Sequence, residues 1–119
     1  MYPLVTTLTS THIIVATGRK PNTDGPGLDA AGIATDHRGC VVVGEFLKTS
    51  ARDAFAVGDV LGERMFVYTA AYEGGVAADN AVASKACCLR PVDYEPLPWV
   101  VFTDPQVAGV GVDERQAAS

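Results

Sequence analysis

Residues 49–60, Thr-Ser-Ala-Arg-Asp-Ala-Phe-Ala-Val-Gly-Asp-Val, constrain this chain more than any other stretch. A turn-forming Thr49-Ser50 pair leads through Arg52 and Asp53 into a short apolar run, Ala54-Phe55-Ala56-Val57, which stops at Gly58-Asp59. So brief an alternation of small and large apolar side chains predicts a strand covered on both faces. Gly58 has no Cβ, so a ligand can come close to the backbone there. Asp59 then stands at the carboxyl end of the expected strand, where open α/β sheets bind their ligands. An ionised carboxylate only accepts hydrogen bonds, which suits the hydroxyls of a ribityl or ribose chain. The dipeptide alone fits an aspartate capping the next turn or helix at least as well.

The rest of the composition bounds the class. A chain of 119 residues has the length of one domain, and 48% hydrophobic with 19% charged residues is a globular balance. A formal net charge of −5 argues against a nucleic-acid-binding surface. No apolar run approaches a membrane span. The opening Met1-Tyr2-Pro3-Leu4-Val5-Thr6 lacks the charged and long apolar regions of a signal peptide. Cys40, Cys87 and Cys88 make an odd count without a framework spacing, which predicts reduced thiols and a cytoplasmic location.

Residues 1–10 show no clear period, and Pro3 discourages a strand. His-Ile-Ile-Val-Ala at 12–16 is β-branched and contiguous, as in a strand buried on both faces, and Gly18 ends it. Arg19 could pair with a phosphate or be a solvated surface charge. Residues 20–27, closing on Gly25-Pro26-Gly27, predict a loop or domain crossing. Residues 28–32 predict one helical turn closed by Gly32. Residues 33–35 and 40–43 predict a hairpin around Asp36-His37-Arg38-Gly39, with His37 solvated at its tip and Cys40 a small packing residue.

A helix is expected from about 66 to 83. Ala70, Gly74, Ala77 and Ala81 recur at helical spacing, flanked by Ala71, Gly75 and Ala78. Each glycine costs about 1 kcal/mol relative to alanine. Either the stripe packs closely on another backbone, or the helix is merely rich in small residues. Should this helix start beside a ligand at Gly58-Asp59, its amides and dipole would stabilise negative charge there. The proline-punctuated 85–98 predicts a linker. Strands are expected at 99–102 and 107–112 around a turn at 103–106, and a helix begins at 113–116. Cys87-Cys88 fits a soft-metal pair or, alternatively, two unrelated thiols at a helix end.

Taken together these motifs resemble the flavin-dependent pyridine nucleotide–disulfide oxidoreductases. Ala16-Thr17-Gly18-Arg19-Lys20-Pro21-Asn22-Thr23 is similar to the segment leaving the nicotinamide-binding domain. Thr49-Ser50 with the run ending at Gly58-Asp59 is similar to the second flavin-binding motif. Pro98-Trp99-Val100-Val101-Phe102-Thr103-Asp104-Pro105-Gln106-Val107-Ala108 is similar to the opening of the interface domain. Within the family, that last string and Phe66-Val67-Tyr68 resemble the mercuric reductase branch most, with the dihydrolipoamide dehydrogenase branch close behind.

The resemblance implies an α/β chain: a partial FAD/NAD(P)-binding Rossmann-like domain followed by the start of an α+β dimerisation domain. It divides the chain into 1–20, 21–93 and 94–119: tail of the NAD(P)-binding domain, returning segment of the FAD-binding domain, and start of the dimerisation domain. It implies FAD and NADPH or NADH as cofactors, a small-molecule substrate such as Hg(II) in mercury resistance, and a homodimeric parent. Gly58, Asp59, Met65, Phe66, Val67, Gly18 and Arg19 are the implied cofactor-binding residues, with Asp59 on the ribityl chain and 65–67 at the flavin pyrimidine edge. No catalytic residue and no metal ligand is assigned. The family's first Gly-x-Gly-x-x-Gly fingerprint, its redox cysteine pair and its nicotinamide fingerprint do not occur in this sequence. An internal fragment, inactive alone, is therefore expected. A binding module that kept part of a nucleotide-binding sheet and a non-catalytic truncated product are the alternatives.

Overall fold

Residues 67–82 contain no proline, and their alanines outweigh the two glycines. They form helix α1, Val67–Val82, within a residue of the expected ends. A computed structural model describes residues 7–118, and α1 is the only long helix among them. The expectations for Met1 to Thr6, including the effect of Pro3, lie outside the described residues. Helix α1 buries Thr69, Glu73, Val76, Ala77 and Asn80, a single stripe at helical spacing. Val76 and Ala77 meet the fully buried Leu47, and Val43, Phe55, Val57, Leu61, Tyr72 and Val92 close around them. The buried stripe shares only Ala77 with the small-residue stripe expected from Ala70, Gly74, Ala77 and Ala81. A Cβ at Gly74 or Gly75 would meet nothing within 4 Å, so no close backbone compensates for these glycines among the described residues.

The segment before α1 wraps its buried face with turns rather than strands. Residues 28–32 form the expected turn, in which the Ile33 amide donates to the Leu28 carbonyl at 2.9 Å. The hairpin is present as a single bridge between Thr35 and Val41. One oxygen of Asp36 accepts the Arg38 and Cys40 amides, each at 2.8 Å. The Cys40 amide leads in holding the Asp36 carboxyl below the ordinary aspartate range. His37 is exposed at the tip and Cys40 is buried, as expected.

Two expected strands do not form. Residues 54–57 make one bridge, Phe55 to Lys48, and are half-buried instead of covered on both faces. The Ala56 amide reaches the Leu47 carbonyl at 3.2 Å, so the run is pinned along one edge. Leu47 itself has φ 62°. The left-handed backbone costs a branched residue about 1–2 kcal/mol. Full burial of a leucine is worth about 1.5–3 kcal/mol, enough to hold it there. Residues 12–16 have no strand at all. Ile13, Ile14 and Val15 are 83%, 91% and 79% exposed, because a strand needs a hydrogen-bonded neighbour and none stands beside them among the described residues.

The expected linker is a strap. The Asn80 amide donates to the carbonyls of Phe46 (3.1 Å) and Arg90 (2.8 Å), and its oxygen accepts the Arg90 amide at 2.7 Å. The Val92 amide donates to Glu45, and the Asp93 amide to the Tyr72 hydroxyl, both at 2.9 Å. Beyond the strap, β1 (Trp99–Val101) and β2 (Val107–Gly109) pair antiparallel, Trp99 opposite Gly109 and Val101 opposite Val107. Both are shorter than expected. The turn between them contains a cis Asp104–Pro105 bond. Helix α2, Glu114–Ala117, starts with a capping box built on Asp113 and Gln116. The radius of gyration is 18.7 Å, against about 13.5 Å for a compact chain of this length.

Candidate functional site

Gly58 opens a short 3-10 turn, Gly58–Leu61, with φ 76°. A Cβ there would lie 3.1 Å from the Ala70 Cβ. Glycine is required twice over: for the left-handed backbone and for the approach of α1. The Gly58 amide donates to one Glu73 carboxylate oxygen at 2.5 Å, and the Tyr94 hydroxyl donates to the other at 2.7 Å. Glu73 is 2% exposed, a charge taken out of water and held by two donors. Burial, and then the Glu73 carboxylate, push the Tyr94 phenol above its ordinary value. The Arg64 guanidinium lies 4.5 Å from the centre of the Tyr94 ring, and Tyr72 meets that ring edge-on at 6.5 Å. The strap, the helix and the Gly58 turn are thus joined through one buried carboxylate.

Neither Glu73 nor Tyr94 was marked as a site residue by the sequence. Glutamate within a helix is ordinarily solvated. The available signal was its spacing, four residues after Thr69 and seven before Asn80, on the face that carries Val76 and Ala77.

Asp59 does not end a strand. It sits second in the 3-10 turn, with its carboxylate half-exposed. It does not cap α1 either: Phe66 occupies that position, and no side chain caps the helix. Arg19 reaches across to Asp59 at 3.4 Å and donates to the Met65 carbonyl at 2.8 Å. Arg19 is an exposed surface charge whose partners are a carboxylate and a carbonyl. An ion pair this exposed contributes at most about 1 kcal/mol, so it orients more than it stabilises.

These residues line an open cavity of about 590 Å³. Its lining combines Arg19 and Asp59 with Met65, Phe66 and Val67 at the start of α1 and Val100 to Phe102 from β1 and the residue after it. Five of the seven expected cofactor residues therefore share one cavity, although they lie up to 48 positions apart (67 − 19). Gly58 lies beneath Asp59 as the pivot of its turn, and Gly18, with φ 81°, turns the chain just before Arg19. The first-turn amides of α1 have no partner within the helix and no side-chain cap. The arrangement combines an acceptor for hydroxyls, a helix start favouring negative charge and apolar lining residues. Among the described residues the lining is otherwise aliphatic and aromatic, with Tyr68 also lining the cavity. Among the described residues no helix is long and apolar enough to cross a membrane.

The profile of the pyridine nucleotide-disulphide oxidoreductases matches residues 5–74. The mercuric reductase of Staphylococcus aureus is 45% identical over 106 residues, covering 89% of this chain and 19% of the relative. Dihydrolipoyl dehydrogenase 3 of Haloarcula marismortui is 41% identical over 112 residues, covering 94% of this chain and 23% of the relative. Among solved structures, the HOCl-induced flavoprotein disulfide reductase RclA from Escherichia coli superposes with a TM-score of 0.72 at 34% identity, covering 87% of this chain and 23% of that one. The chain thus spans 19–23% of the length of these relatives.

Proposed function

This chain belongs to the pyridine nucleotide-disulphide oxidoreductase family, and from that premise we propose that it forms one wall of the flavin site of an FAD-dependent NAD(P)H oxidoreductase of the mercuric reductase kind. The observation that carries the reading is the cavity that gathers Arg19, Asp59 and residues 65–67 at the uncapped start of α1. A carboxylate acceptor beside a helix start without a side-chain cap fits a cofactor that offers both sugar-like hydroxyls and developing negative charge. A bound flavin would supply the hydride and electron chemistry between nicotinamide and substrate. This chain's residues would hold and orient it: Asp59 accepting from the ribityl chain, Met65, Phe66 and Val67 lining the ring system, and the α1 amides favouring the reduced, anionic form. Gly18 and Arg19 would shape the rim.

In this reading residues 1–20 end the nicotinamide-binding domain, 21–93 return to the flavin-binding domain, and 94–119 begin the dimerisation domain. The exposed Trp99, Val101 and Phe102 fit a homodimer interface of the whole enzyme. The substrate would be Hg(II), reduced to Hg(0), in a cytoplasmic enzyme using NADPH or NADH, and the chain alone would be inactive. The likeness to the Haloarcula protein keeps a dihydrolipoyl dehydrogenase parent as the second reading.

Exchanging residues 12–118 into the matching stretch of the Staphylococcus mercuric reductase, and separately into the Haloarcula dehydrogenase, tests both readings. The mercuric reductase reading predicts full flavin content and NADPH-dependent Hg(II) reduction in the first chimera, with much weaker lipoamide turnover in the second. Activity confined to the second favours the alternative. Two folded, flavin-free chimeras overturn the cofactor-wall reading.

A further inference from the structure

We propose that Cys87 and Cys88 form a two-thiolate site for a soft monovalent cation, Cu(I), presented on a loop pinned at both ends. The two thiols lie on a single 3-10 turn, Ala86–Cys88, with their sulfurs 3.9 Å apart and both side chains exposed. The turn is closed by the Cys88 amide on the Lys85 carbonyl at 3.0 Å and the Leu89 amide on Ala86 at 3.2 Å. On the near side the Ala83 amide still bonds the Asn80 carbonyl at 3.4 Å, and on the far side Asn80 holds Arg90 through two side-chain hydrogen bonds. Asn80 therefore fixes both loop ends, the near one through its backbone carbonyl and the far one through its buried side chain, so bringing the thiols together needs little further ordering.

Ligand number selects the cation. Among the described residues no group of three or more histidines, cysteines or carboxylates could hold a metal ion, which leaves tetrahedral zinc without a ligand set. The third cysteine, Cys40, is buried, and a Cβ at Gly62 would collide with its sulfur. Two soft thiolates alone suit Cu(I), which accepts linear coordination by sulfur. Binding forms two Cu–S bonds, releases one proton from each thiol and moves no electron. The complex carries one negative charge, and Lys85 lies two positions before Cys87 to offset it. The dithiol is outside the cavity of Arg19 and Asp59, so it stands apart from the proposed flavin role.

Anaerobic titration of the reduced 119-residue chain with Cu(I), in competition with bathocuproine disulfonate, tests the site. The expected result is one Cu(I) per chain. Cys87→Ser and Cys88→Ser should each weaken it by about a hundredfold or more, since even outer-shell losses cost about 10–100-fold in metal affinity. Cys40→Ser should change it by less than about twofold, and unfolding the chain in urea should weaken it about tenfold as the pinning is lost. Unchanged affinity in the Cys87→Ser, Cys88→Ser double variant overturns the proposal. So does one Cu(I) bridging two chains, or equal affinity in the folded and unfolded chain.

Discussion

Residues 12–16 and residues 54–57 read alike in sequence, as short apolar runs closed by glycine, and they end differently in the structure. Residues 54–57 have weaker β-formers, yet they are half-buried and pinned to Leu47 and Lys48. Ile13, Ile14 and Val15 have the stronger propensity and stand almost fully exposed. Propensity describes what a segment can pair with, and pairing decides whether it is buried. The centre of the chain carries its own partners: α1, the strap and the Glu73 carboxylate. The N-terminal run finds none among the described residues.

The largest difference between the two regions lies in the core. Leu47→Ala removes a side chain with no exposure and should cost about 2–5 kcal/mol, read as loss of the helical signal of α1 in urea. A cost below 1 kcal/mol would mean that the centre is no better packed than the ends. Glu73→Ala should cost about 2–4 kcal/mol, because the Gly58 amide and the Tyr94 hydroxyl both lose their acceptor. Glu73→Gln should fall between, since the amide keeps one acceptor oxygen. Equal stability of all three proteins would remove Glu73 as the junction.

Alkaline pH sharpens the same point. The Tyr94 phenol is raised by burial and then by Glu73. A group with a raised folded pKa contributes stability that is complete below its unfolded value, about 10 for tyrosine, and is lost as pH rises towards the folded value. The last step of the tyrosinate absorbance titration should therefore vanish in Tyr94→Phe, and the high-pH loss of stability should shrink with it. A Tyr94→Phe profile that superposes on the parent profile would contradict this. The smallest effect is expected at the exposed end. Ile14→Lys should change the urea midpoint by less than about 0.5 kcal/mol while raising solubility. Substantial unfolding by Ile14→Lys would show a partner that the fold does not contain.

Helix α1 was readable because a helix satisfies its own backbone, so sixteen residues suffice to declare it. The turn at Asp36 was readable because its side chain bonds the next amides locally. Residues 54–57 were misread because a strand's identity lies in its neighbours. Glu73 and Asn80 were missed because their partners, Gly58, Tyr94, Phe46 and Arg90, are 10 to 34 positions away in sequence. Arg19, Asp59 and residues 65–67 were singled out from separate motifs, and only the fold brings them to one cavity, because their proximity depends on contacts 6 to 48 positions apart in sequence.

The central claim is that the Gly58–Asp59 turn and the start of α1 form a cofactor wall, and the flavin affinity of the Staphylococcus chimera tests it most directly. Losing a charge-assisted acceptor is worth about 1.5–3 kcal/mol, so Asp59→Ala should weaken FAD binding roughly 10- to 100-fold, with the fold intact by circular dichroism. An Asp59→Ala chimera that keeps its flavin through dilution as tightly as the parent chimera would contradict the account.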